Sequence, residues 1–138
     1  MALVCIGMLL VSCGSKRLDN PKAQFIRDFG LNIEKKDCVL EELFNNYEGV
    51  PYEGIALYKL TVGEDVRQAF LQWERIPFSK EAEHFLESLS TYVELPSIAD
   101  GYWKMVDRNP GTSAYTNVSL CVYDEATGIE YLLIMDKL

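Results

Sequence analysis

Residues 115–138 constrain the fold of this chain more than any other stretch, because they read as one long antiparallel hairpin. Thr116, Val118, Leu120 and Val122 alternate with Tyr115, Asn117, Ser119 and Cys121, which gives the first strand an apolar side and a mostly polar one. That is the pattern of a half-buried strand. Asp124, Glu125, Ala126, Thr127 and Gly128 follow as a turn, with glycine at the closing position where a left-handed residue is common. The return strand contains the unbroken run Tyr131, Leu132, Leu133, Ile134, Met135, which suits a strand covered on both faces and therefore central in its sheet. On this reading Leu133 belongs to the core, whereas Ser119 tolerates truncation.

The rest of the chain supplies elements to pack against that hairpin. Asn20 followed by Pro21 has the form of a helix N-cap and first turn, Phe25, Ile26 and Phe29 share a face, and Gly30 is the stop. Residues 38–44 and 55–62 read as strands, separated by the turn-rich segment 45–54, whose two tyrosines have no apolar neighbours to draw them inward. Thr61 stands three residues before Glu64, the spacing of a capping box, and Val66, Phe70 and Trp73 then recur at helical intervals until Pro77. Ser79 caps a further helix with the stripe Ala82, Phe85, Leu86, Leu89. A loop through Pro96 and a strand over 102–107 lead into the final hairpin. Helices and strands are segregated, which predicts a single α+β domain. Its sheet would be largely antiparallel, of about five strands, with helices on one face and a C-terminal β-meander.

The N-terminus has a separate character. Residues 1–12 are almost wholly apolar, and polarity returns abruptly at Gly14, Ser15, Lys16 and Arg17. About a dozen apolar residues are too few for a helix crossing a bilayer core of about 30 Å, so the run reads as the hydrophobic region of a signal peptide. The alternative is a buried N-terminal strand with an incidental cysteine. Leu10, Val11, Ser12 and Cys13 resemble the lipobox of bacterial lipoproteins. That resemblance implies a signal peptide over 1–12, lipidation of Cys13, a tether over 13–20 and a folded domain over 21–138. It also implies a location at the cell membrane, lipid-anchored on its extracytoplasmic face. No lysine or arginine precedes the apolar run, which places the expected translation start upstream of Met1. With Cys13 modified, Cys38 and Cys121 are expected as two free, partly buried thiols rather than a disulfide.

A second resemblance covers residues from 45 to the C-terminus. Glu48 and Gly49 through Gly54, Trp73 with Ile76 and Pro77, Gly101 and Tyr102 through Asp107 and Arg108, and Tyr115 through Asp124 with Tyr131 through Asp136 are similar to a family of small uncharacterised proteins of Gram-positive gut bacteria. In that family the loop before the second strand is rich in glycine and histidine, whereas this chain has Tyr47 and Pro51 there. The resemblance implies no activity.

Composition and chemistry narrow the function by exclusion. The net charge of -8, from 21 acidic and 13 basic residues scattered through the chain, gives no basic footprint for a nucleic acid. The single histidine, His84, lies off the apolar stripe of its helix, so neither a histidine-dependent catalytic set nor a zinc site is expected. No cofactor is implied either, since the glycines lack the spacing of a phosphate loop. Glu48, Glu53, Asp107, Asp124 and Asp136 fall at loops or strand ends, where acid-base pairs of a carboxylate-dependent hydrolase could meet. Turn chemistry accounts for them equally well. Asp107 with Arg108 reads as a local ion pair or turn contact.

The aromatic residues are more informative, because tyrosine buries much area at small entropy cost. The candidate binding surface is Tyr47, Tyr52, Glu53, Arg108 and Tyr115. A monomeric binding or interaction module for a protein or glycan ligand is the first reading. An accessory or immunity-type protein docking a membrane partner is the second.

Overall fold

The computed structural model describes residues 20–48, 53–111 and 116–137. In chain order the elements are α1 (Pro21–Phe29), β1 (Val39–Asn45), β2 (Gly54–Thr61), α2 (Glu64–Phe70), β3 (Glu74–Arg75), α3 (Lys80–Ser88), β4 (Gly101–Asp107), β5 (Asn117–Asp124) and β6 (Ile129–Asp136). The strands form one antiparallel sheet of order β1-β2-β6-β5-β4-β3. The fold is thus α+β, and β4, β5 and β6 form the expected meander. The sheet has six strands instead of about five because Glu74 and Arg75 pair with Trp103 and Tyr102 at its edge. A two-residue pairing leaves no periodicity to read.

Local chemistry sets the element ends. Asn20 Oδ1 accepts from Ala23 N–H at 3.0 Å, and Gly30, at φ 70°, donates its N–H to Ile26 O at 2.9 Å. Ser79 Oγ accepts from Ala82 N–H at 3.2 Å. The expected capping box at Thr61 does not form: Thr61 is still paired with Val39 in the sheet, and the N-cap of α2 is Gly63, which has no side chain to cap it.

Helices cover both faces of the sheet, not one as expected. On the first face, α1 and α2 set Phe25, Phe29, Val66 and Phe70 against Ala56, Tyr58, Leu60, Cys121, Tyr123, Leu132 and Ile134. On the second, α3 sets Ala82 and Phe85, with Leu89 just beyond it, against Ile55, Leu57, Val118, Leu120, Val122, Leu133 and Met135. An amphipathic stripe shows that a helix has a buried side but not which side of a sheet receives it. β6 is covered on both faces, as its apolar run requires. β5 is covered on both faces too, which corrects its half-buried reading: Ser119 and Cys121 are fully buried under α1 and α2.

Cys38 and Cys121 are free and buried. Cys38 precedes β1 and Cys121 lies on β5, three strand intervals apart, or about 14 Å at ordinary strand spacing. A disulfide requires Cα atoms within about 7 Å.

Candidate functional site

One end of the sheet gathers the residues that carry charge into the interior. Register fixes this end: Gly54 and Asn117 both oppose Asp136, and Asp107 opposes Val118. The end of β4, both ends of the β1–β2 connection and the last residue of β6 therefore lie level with one another. Gly54 is required here by close approach, since a Cβ at that position would sit 2.5 Å from Tyr47 Cα.

Asp136 is the hub. Tyr47 donates its hydroxyl to Oδ2 at 2.7 Å, and Arg108 Nη1 donates to Oδ1. Arg108 Nη2 donates to Met135 O at 3.0 Å and to Val118 O at 3.2 Å, and Nε lies 3.5 Å from Asp28 Oδ2. Asp28, near the end of α1, accepts from Ser119 Oγ and from Gln24 Nε2 at 2.9 and 3.0 Å. One guanidinium thus ties the end of β4 to β5, β6 and α1, with two carboxylates against it. Charge-assisted bonds of this kind are among the stronger ones a fold can make, and removing one partner strands the other. Burial, and then the bond to Asp136, raises the Tyr47 hydroxyl well above its ordinary range, so it remains a donor.

A second buried ionisable group lies at the opposite end of the same face. Glu130 pairs in register with Tyr123 on β5 and Leu60 on β2, and its side chain is fully buried. Neither carboxyl oxygen has a hydrogen-bond partner. Burial pushes its pKa up to about 8, so the carboxyl is neutral at pH 7. Arg67 Nε, on α2, is also buried and without a hydrogen-bond partner.

The candidate binding residues separate on this geometry. Tyr47, expected in an exposed loop, is 0% exposed and part of the core. The Arg108 side chain is 19% exposed and its donors are directed inward. Glu53 is exposed and exchanges backbone bonds with Glu48 at 3.0 and 3.2 Å. Tyr52, Tyr115 and Cys13 lie outside the described residues. Arg108 does not pair with Asp107, which instead accepts from Asn109 N–H at 3.0 Å. Asp124 is likewise a turn residue, accepting from Ala126 N–H and Thr127 Oγ1 at 3.1 and 3.0 Å. Of these carboxylates, Asp107, Asp124 and Asp136 have their oxygens engaged by the fold itself. His84 is exposed on α3. Among the described residues no group of three or more His, Cys, Asp or Glu is placed to hold a metal ion, and no helix is long and apolar enough to cross a membrane.

Asp28, Ser119 and Glu130 were not among the sequence candidates, although two of them carry a signal. An acid in the last turn of a helix opposes the helix dipole, so Asp28 needs another partner. Period-two spacing puts Glu130 on the same side as Leu132 and Ile134, a side that the apolar run marks as covered. Comparison with known protein families, curated proteins and solved structures finds no match to this chain.

Proposed function

We propose that this chain is a lipid-anchored binding module on the extracytoplasmic face of a bacterial cell membrane, held there through Cys13. The observation that supports a binding role is that the β1–β2 and β4–β5 connections leave the same end of the sheet, from a base tied together by Arg108, Asp28, Asp136 and Tyr47. Loops set on a rigid base are the usual location of recognition surfaces. Tyr52 and Tyr115 belong to those connections and supply the aromatic contacts, while Tyr47 and Arg108 hold the base. The ligand class is a protein or a glycan of the envelope.

Two measurements test the reading. Full-length protein expressed in bacteria should partition with membranes and incorporate labelled fatty acid. Cys13→Ser should abolish the label and Cys5→Ser should leave it. A wild-type protein that remains unlabelled in the soluble fraction contradicts the anchor. For binding, a thermal-shift screen against glycans, peptides and envelope extracts should yield a ligand that raises Tm, because any native-state binder does so. Tyr52→Ala and Tyr115→Ala should remove that shift while leaving the unliganded Tm within a few degrees. An undiminished shift in both variants assigns the ligand to another surface.

A further inference from the structure

We propose that Arg67 is a latch with two seats, Glu64 at the surface and Glu130 in the core, and that loss of the Glu130 proton moves it from the first to the second. Arg67 straddles the boundary of the fold. Its Nη1 donates outward to Glu64 Oε2 at 3.2 Å, while its Nε is buried beneath with no hydrogen-bond partner. Glu130 is the complementary orphan, a fully buried carboxyl with both oxygens unpaired. Buried polar groups are ordinarily paired, so an unpaired donor and an unpaired acid under one helix describe a bond that is available but unformed.

Charge explains why it is unformed. A neutral carboxyl draws the guanidinium weakly, and the bond to Glu64 at the surface holds it. Once the Glu130 proton passes to solvent, a buried carboxylate without a partner is costly, and the Arg67 guanidinium, with its Nε already buried and its charge acting on Glu130, is placed to relieve it. The Arg67–Glu64 bond then breaks and an Arg67–Glu130 bond forms. The described residues around Glu130 offer no other cation. β5 presents Cys121 and Tyr123, both with pKa values raised by burial and by Glu130 itself, and β2 presents Leu60. Glu64 on α2 and Glu125 on the β5–β6 turn are the other charges felt on this flank, and both are acidic. Among the described residues, Arg67 is the cation that acts on Glu130. α2 lies over the face through Val66 and Phe70, so the change of seat alters how this helix sits on the sheet.

NMR of the labelled full chain between pH 5 and 10 tests the latch. The Glu130 side-chain carboxyl carbon and the Arg67 Nε–H should move together, in one transition with a midpoint near pH 8. Glu130→Gln should flatten the Arg67 response. Glu64→Gln, which weakens the surface seat and leaves the core untouched, should lower the Glu130 midpoint. An Arg67 resonance that stays still while Glu130 titrates overturns the proposal. So does an Arg67 transition that survives in Glu130→Gln, or a Glu130 midpoint unmoved by Glu64→Gln.

Discussion

The two faces of the sheet are built on different principles. The face under α3 is closed by Ile55, Leu57, Val118, Leu120, Val122, Leu133 and Met135 against Ala82, Phe85 and Leu89. The face under α1 and α2 has an apolar centre too, but Arg108, Asp28, Ser119, Asp136 and Tyr47 are set at one end of it and Glu130 at the other. Apolar packing is non-directional and tolerates exchange at constant volume. A buried charge network has one satisfactory arrangement, and each member depends on the others. The α3 face therefore supplies cohesion, and the α1/α2 face supplies register and sensitivity to pH.

The largest expected effect separates the faces by size. Leu133→Ala removes a fully packed side chain from the α3 face and should cost about 2–5 kcal/mol in urea unfolding, with no dependence on pH. The matching change on the other face is Glu130→Gln, which should raise stability at pH 8 and alter its pH profile. The folded pKa of Glu130 is raised from 4.5 to about 8, so the folded state holds a proton that the unfolded state has released. The associated stability is fully present below pH 4.5 and falls as pH rises to about 8, by about 1.4 kcal/mol per unit inside that window. Unfolding free energies collected from pH 5 to 8 should slope downward from this group in the wild type, and the difference between wild type and Glu130→Gln should grow with pH. A constant difference would mean that Glu130 is already ionised in the fold.

Ser119→Ala is a smaller change and reverses what strand alternation alone predicts. The hydroxyl is fully buried and donates to Asp28, so its loss should cost about 1–3 kcal/mol, whereas a solvent-facing serine would cost almost nothing. Its unfolding midpoint compared with wild type decides between the two.

These contrasts also show what a linear reading of the chain can deliver. Asn20 with Pro21, Gly30 and Ser79 locate helix ends through bonds within four residues, and the run from Tyr131 to Met135 announces a doubly covered strand by itself. Each of those features is local. Ser119 looks polar and exposed because its partner, Asp28, is 91 residues away. Tyr47 looks like a loop residue because Asn45, Asn46 and Gly49 surround it, yet its hydroxyl reaches Asp136, 89 residues on. Tyr47 and Arg108 were both legible as special, but not the reason: they meet on one carboxylate in the interior and do not face a ligand. The side on which α3 packs was hidden for the same cause, since its stripe fits either face of a sheet whose central strand carries apolar residues on both sides.

The base of the sheet depends most directly on the coupling of Tyr47 to Arg108 through Asp136. A double-mutant cycle of Tyr47→Phe and Arg108→Met, read by urea unfolding, measures it, because side chains in one network couple by about 0.5–3 kcal/mol while independent sites add to within about 0.3–0.5 kcal/mol. The predicted result is coupling in the first range, with each single variant destabilised. Additive effects in the cycle, or an Arg108→Met variant as stable as wild type, would contradict this coupling and show that Tyr47 and Arg108 act independently of one another.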